Sequence, residues 1–271
     1  MRQPLLHDGE IVLAAPAQLW SRADGSLSAP IDGLFVSDVR IVAGLETTVL
    51  GSALEHIRTD RRSARRIAFT ALLRGLDADA GADPRVRLDR VRTVDPEGLT
   101  EALTVTSGRE VPVEVALTVH LRTDLAPMPL VKSGGTAAPV RFAVAGGIAS
   151  WGTEEVHATL VADGLEPTAD ADGLRLELRA TVPPHGTVTA SWRVRAEDRA
   201  AVVTAPPRPI RLAAPPTGDP TLDEWTARAL DDLESLQLVL PGGPDDVFLA
   251  AGAPWFLTLF GRDSIWAARM P

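Results

Sequence analysis

The chain has 271 residues, 45% of them hydrophobic and 23% charged, with a formal net charge of -9. That fits a soluble globular protein with a sizeable core and room for one large or two ordinary domains. It holds no cysteine, which excludes disulfides and thiolate metal sites. No basic stripe stands out beyond Arg58 to Arg66, which argues against a nucleic-acid partner, because such binding needs clustered cations to displace counterions.

Tyrosine and asparagine are also absent, and Lys132 is the single lysine among many Arg, Ala, Gly and Pro. This is a bias toward GC-rich codons, so the missing cysteine says little about compartment. At the N-terminus Asp8 and Glu10 interrupt before a long apolar stretch forms, unlike a secretory signal. No segment approaches the ~18 uninterrupted apolar residues of a membrane helix. The expectation is a cytoplasmic protein with no membrane partner.

Period-2 alternation, the signature of half-buried strands, dominates as far as residue 205. Short strands are expected at 10–15, 39–50, 67–74, 86–94, 139–144 and 155–162. Turn signals separate them at Asp24-Gly25, Asp32-Gly33, Gly81 to Pro84, Asp95 to Gly98, Gly134-Gly135, Asp163-Gly164 and Asp172-Gly173. Leu54 to Arg66 fits either a short helix or a basic strand. Val113, Val115, Leu117, Val119 and Leu121 alternate after a turn at Ser107-Gly108-Arg109-Glu110. Leu174, Leu176 and Leu178 oppose Arg175, Glu177 and Arg179, and Pro183 to Gly186 turns the chain into a returning strand with Val188, Trp192 and Val194. Both pairs read as β-hairpins. Many strands without intervening helices mean antiparallel sheets packed face to face.

The pattern breaks at 205. "APPRPIRLAAPPTGDP" holds six prolines in sixteen residues, an extended and fairly stiff linker. A helix follows, capped by the Thr221–Glu224 box. Its apolar stripe runs through Leu222, Trp225, Ala229, Leu233, Leu236 and Leu240, and Pro241-Gly242-Gly243 ends it. A loop leads to "APWFLTLFGRDSIWAARMP", with a second helix expected after Asp263. Two helices cannot bury their stripes alone, so residues 221–271 read as the start of an all-α domain. The division is a β-sandwich at 1–205, a linker at 206–220 and this helical beginning. An exposed stripe with Trp255, Phe256, Phe260 and Trp266 leads to the expectation that the tail self-associates unless it folds back on the sandwich.

Catalytic signatures are sparse. There is no nucleophile elbow, no phosphate-cradling loop and no dinucleotide fingerprint, and no cofactor is expected. His7, His56, His120, His157 and His185 are scattered and read as solvated or strand-face residues. Asp231-Asp232 reads as solvated surface, and Asp245-Asp246 as a brace for the loop before Phe248. The final segment is different. Trp255, Phe256 and Phe260 surround Arg262 and Asp263. A carboxylate accepts from two neighbouring sugar hydroxyls, a guanidinium donates in a rigid fork, and an aromatic face packs on the C–H face of a pyranose. Two readings stand here: a monosaccharide subsite, or a helix cap at Asp263 or Ser264 with core aromatics.

"FLAAGAPWFLTLFGRDSIWAARM" resembles the entry to the catalytic domain of bacterial glycogen-debranching enzymes of the amylo-α-1,6-glucosidase type. "DGLFVSDVRIV" resembles that family's N-terminal motif at Gly33, Leu34, Phe35, Asp38 and Arg40; Ser37 and Val39 depart from it. The resemblance implies a β super-sandwich, then an (α/α)6 barrel of which the chain holds only the first helices, as a truncated product. It implies an α-glucan or oligosaccharide substrate. Arg262 and Asp263 would bind outer hydroxyls of the terminal glucose, with Trp255 and Phe260 as pocket walls. The catalytic carboxylates of such barrels come far later, so this chain alone is expected to be inactive. Two alternatives remain: a non-catalytic β-sandwich that binds carbohydrate or protein, and a glycosidase of this fold acting on another α-glucoside.

Overall fold

The computed structural model of the chain describes residues 6, 7, 9–76, 84–267 and 269. β1 (Glu10–Ala14), β2 (Ala17–Ser21), β3 (Gly33–Val36) and β4 (Val39–Val42) pair in chain order as a four-stranded sheet. β5 (Gly44–Val49) and β6 (Ser52–Ala53) begin a second sheet. β7 (Glu55–Ser63), β8 (Arg66–Leu72), β9 (Val86–Asp95) and β10 (Gly98–Ser107) form a meander in a third. β11 (Val113–Arg122) returns to the second sheet and leads into a short helix, α1 (Met128–Lys132). β12 (Ala143–Ala145), β13 (Ile148–Gly152) and β14 (Val156–Asp163) extend the third sheet. β15 (Glu166–Ala169) and β16 (Leu174–Val182) extend the second, and β17 (Thr187–Asp198) returns to the third. The third sheet thus has eight strands, ordered β12-β13-β14-β17-β10-β9-β8-β7, and the second has five, ordered β15-β16-β11-β5-β6. The turn expected at Gly81 to Pro84 falls largely outside the described residues.

The two hairpins expected around 107–110 and 183–186 are not hairpins. β10 pairs with β9 and β17, whereas β11 pairs with β5 and β16. Each turn is an arch that carries the chain from the eight-stranded sheet to the five-stranded one or back. The arches lie side by side, joined by Ser107 N–H to the Gly186 carbonyl (3.0 Å) and His185 N–H to the Arg109 carbonyl (3.1 Å). Crossing brings the apolar faces together instead of leaving them on one surface. Leu99, Leu103 and Val105 of β10 and Trp192 and Val194 of β17 share one buried cluster with Val115, Leu117 and Val119 of β11 and Leu174, Leu176 and Leu178 of β16.

Inside this cluster's neighbourhood sits a group of charges. Arg90, Arg92 and Glu101 are all buried. Arg92 Nε donates to Glu101 at 3.1 Å, and both guanidiniums lie about 5 Å from the Phe69 ring centre, at 5.4 and 5.2 Å. Burial is the main influence on Arg90 and brings it down to about 10.

Leu54 to Arg66 resolves as strand. β7 is an edge strand that pairs with β8 across two register shifts. Its local composition suits a helix, but an open sheet edge supplies ladder partners, and its charges discourage pairing with another chain.

After β17 the proline segment runs extended. α2 (Pro220–Glu234) begins with an Asp219 cap, whose side chain accepts from Thr221 N–H and Leu222 N–H, so the cap is Asp219 and not the expected Thr221 box. The helix ends at Glu234, and the rest of the expected stripe becomes β18 (Gln237–Leu240), paired with β19 (Gly243–Leu249). Leu222 and Trp225 face solvent. Leu238, Ala250 and Leu257 pack with Ala15 and Val203 of the sandwich. That burial, together with Ala15 N–H to the Ser235 carbonyl (2.8 Å), outweighs helical periodicity after Glu234. Asp231 is not solvated surface either: its carboxylate accepts from Ala64 N–H at 2.7 Å. Among the described residues no helix is long and apolar enough to cross a membrane.

Candidate functional site

The loop after β19 is tied to the sandwich before it reaches the charged turn. Gly252 and Phe256 exchange backbone hydrogen bonds (3.1 and 2.9 Å), which folds Ala253 to Trp255 into a tight loop. Gln18, buried on β2, donates from Nε2 to the Pro254 carbonyl at 2.9 Å and accepts from Trp20 Nε1 at 2.9 Å. Trp255 therefore packs on a small cluster built from Trp20, Ile31, Phe35, Met128 and Val131. Its indole Nε1 is buried with no hydrogen-bond partner among the described residues. Lys132, at the end of α1, places its ammonium 5.8 Å from the Trp255 ring and 4.5 Å from the Phe256 ring, a cation–π geometry.

α3 (Gly261–Ala267) starts earlier than expected, so Arg262 and Asp263 stand in its first turn and not in the loop before it. The capping group is Ser264: its hydroxyl accepts from Phe260 N–H at 3.3 Å, while Ser264 N–H donates to the Phe260 carbonyl at 2.9 Å. Asp263 is left with an exposed carboxylate near the positive end of the helix, and Arg262 is exposed too. Phe260 is 48% exposed and packs at 5.9 Å against Phe256. Leu259, Ile265 and Trp266 are exposed beside them. Of the four expected site residues, the structure holds Trp255 against the sandwich and sets Phe260, Arg262 and Asp263 on an open aromatic surface. Lys132 was not picked out from the sequence; its being the chain's one lysine was the available signal.

The Gly33 to Arg40 motif has a structural job here. Arg40 is buried and forms a two-pronged ion pair with Asp124: Nε donates to Oδ1 at 3.1 Å and Nη2 to Oδ2. Nη1 donates to the Pro30 carbonyl at 2.8 Å. A Cβ on Gly33 would lie 2.7 Å from the Arg40 side chain and 2.8 Å from the Val42 carbonyl, so only glycine leaves that path open. The Asp38 carbonyl accepts from Met128 N–H (2.7 Å), and the Asp38 carboxyl is pushed up by desolvation and by Asp198. Leu34 joins the main core and Phe35 the cluster under Trp255. The motif thus fastens the β3–β4 hairpin to α1, and through Phe35 it supports Trp255.

No curated protein matches the chain. Among solved structures it is similar to the Slr1438 protein from Synechocystis sp. PCC 6803, with 12% identity over 73% of this chain and 97% of that one at a TM-score of 0.46. It is also similar to a galactose mutarotase-like protein from Lactobacillus casei ATCC 334, with 9% identity over 70% of this chain and 100% of that one, again at 0.46. A family model for the N-terminal domain of (some) glycogen debranching enzymes matches residues 13–193. The match takes in the Gly33 to Arg40 motif and both arches, and stops before α2. By that match the chain belongs to the family of N-terminal domains of glycogen debranching enzymes.

Proposed function

We propose that the chain is the N-terminal portion of a cytoplasmic glycoside hydrolase that acts on α-glucan and cleaves α-1,6-glucosidic branch bonds. The observation that carries this reading is the family match over residues 13–193. In this reading the β-sandwich spans 1–205, residues 206–220 link it, and 221–271 begin a helical catalytic domain. The exposed Phe256, Leu259, Phe260, Ile265 and Trp266 form the surface that the remainder of that domain covers.

The chain contributes binding, not bond cleavage. Asp263 accepts from two outer hydroxyls of the terminal glucose and Arg262 donates to a third, while Trp255 and Phe260 flank the ring. A fixed Trp255 suits a wall, because a wall that moves loses orientation. The complete enzyme hydrolyses its substrate with a general acid and a base-activated water, with carboxyls ~6.5–9.5 Å apart if inverting. Those carboxylates lie outside residues 1–271.

The test is glucose release from a branched limit dextrin, measured for the 271-residue chain and for a longer product of the same gene. The chain alone is expected to release none, and the longer product to release glucose from branch points. Hydrolysis by the chain alone, or a longer product active only on a non-glucan sugar, would overturn the reading.

A further inference from the structure

A cleft of about 610 Å³ opens on the β-sandwich, and no residue of the C-terminal segment lines it. Its walls are the end of β11, the turn Asp170–Gly173 ahead of β16, and the loop 136–142. The volume lies within the ~300–1,000 Å³ of small-ligand sites. Each wall is held. Asp170 Oδ1 accepts from Asp172 N–H (2.8 Å) and Gly173 N–H (3.1 Å), and its Oδ2 accepts from Arg175 Nε (3.2 Å). Val140 N–H donates to the Thr123 carbonyl at 3.0 Å. Phe142 packs edge-on against Trp151 at 4.9 Å.

Two polar atoms of the lining are buried without a hydrogen-bond partner among the described residues. Thr123 is 2% exposed, yet its hydroxyl has no hydrogen-bond partner among the described residues. Burying a hydroxyl unpaired is costly, so such a group is usually satisfied by something bound. His120 Nε2 is likewise buried without a partner among the described residues, close under Gly173, where a Cβ would lie 2.9 Å from it. Burial, then Arg122 and Arg175, hold His120 below the usual imidazole range, so it is neutral at neutral pH. Arg122 crosses over Gly44, where a Cβ would meet its Nε at 2.7 Å. Two glycines thus clear the space in which these side chains lie.

The charges are mixed in sign. Asp124 is taken up by Arg40. Arg175 is paired with Asp170 and lies 3.9 Å from Asp172, and Arg122 and Arg141 complete the charged lining, with Ala137, Pro139, Val140 and Phe142 as apolar wall. An anion would meet two carboxylates, and a cation three guanidiniums. A neutral polyhydroxyl ligand uses both, because each hydroxyl donates and accepts, and its C–H faces pack on the apolar side. We propose that this cleft binds a neutral oligosaccharide segment of about two or three sugar units, with Arg122 and Thr123 donating to it and Asp172 accepting from it, independently of the segment around Asp263.

Isothermal titration of the full 271-residue chain with maltotriose tests this. Saturable binding with Kd in the region of ~1 mM is expected, typical of a shallow site that orders few groups. Arg122→Ala and Thr123→Val should each weaken it tenfold or more. Thr123→Val should not lower the melting temperature, since the hydroxyl it removes has no partner in the fold. Arg179→Ala, exposed on the outer surface, should leave the binding unchanged. Absence of saturation up to ~20 mM, or tighter binding of inorganic phosphate than of the sugar, would overturn the proposal. So would loss of binding in Asp263→Asn but not in Arg122→Ala; that result would place the sugar at the C-terminal segment and leave the preceding reading standing.

Discussion

Removing Asp124 should cost the sandwich a large part of its stability. The Arg40–Asp124 pair has side chains only 6% and 10% exposed. Two of the three guanidinium contacts within 3.1 Å go to Asp124, and the third goes to the Pro30 carbonyl. Asp124→Ala strips both charge-assisted bonds and leaves a buried cation with only the Pro30 carbonyl and a long contact to the Asp32 carbonyl (3.5 Å), both from Nη1. Each such bond is worth about 1.5–3 kcal/mol, and breaking a buried pair from one side typically costs about 3–5 kcal/mol. Asp124 Oδ1 also accepts from Ala126 N–H at 3.1 Å, which adds about 1 kcal/mol. The cleft beside Asp124 admits water to the stranded guanidinium, so we expect about 3–4 kcal/mol, against the 5–15 kcal/mol common for whole domains. Asp124→Asn keeps the Ala126 bond and one acceptor, and should lose roughly half as much. The double variant Arg40→Met with Asp124→Leu removes both charges and should be less destabilised than Asp124→Ala. Urea unfolding followed by tryptophan fluorescence gives these differences. A loss below 1 kcal/mol for Asp124→Ala, or a double variant worse than the sum of the single ones, would refute the buried-pair reasoning.

In the longer gene product Asp263→Asn should lower kcat/KM on a branched α-glucan on the order of a hundredfold, since each ~1.4 kcal/mol is tenfold, with the melting temperature nearly unchanged; wild-type kinetics would leave Asp263 without a sugar role. Trp225 is 72% and Trp266 61% exposed, so light scattering should show a mass that rises with concentration and falls to the monomer in a Trp225→Ser, Trp266→Ser variant; equal monomeric masses would rule out self-association through this surface. Asp219→Ala should raise amide exchange in the first turn of α2 by about fivefold, from the ~1 kcal/mol value of a cap, whereas Thr221→Ala should not; the opposite order would restore the Thr221 box. Because burial, Arg122 and Arg175 depress His120, the unfolded chain binds its proton first. Its contribution to stability is therefore complete above about pH 6.5 and is lost as the pH falls below that value. His120→Gln should flatten the part of the Tm-against-pH curve between pH 7.5 and 5.5, and an unchanged slope would mean that other groups set it.

Much of the strand content was legible without the structure. Alternation in Leu174 to Leu178, and again in Val113 to Leu121, says which side of a strand is buried, because successive side chains point to opposite faces. It says nothing about which strand lies alongside. A hairpin and an arch between sheets have the same alternating strands and similar turns, and the choice is settled by contacts far apart in sequence: β10 finds β17 and β11 finds β16.

The Gly33 to Arg40 motif could be located, but not its purpose, because Arg40's partner Asp124 lies 84 positions away. At α2 the apolar spacing and the nearby caps were visible. The point where helix gives way to β18 was not, since Leu238 is drawn off by Ala15 and Val203 of the sandwich. The aromatic and charged residues of the last segment were identifiable by type alone, because their chemistry is local. Their arrangement, with Trp255 pinned by the Gln18-anchored loop and Asp263 exposed on the first turn of α3, depends on a buried glutamine more than two hundred residues upstream. Local pattern determines the face a residue shows and the end of a helix it can cap; only tertiary packing decides what that face meets.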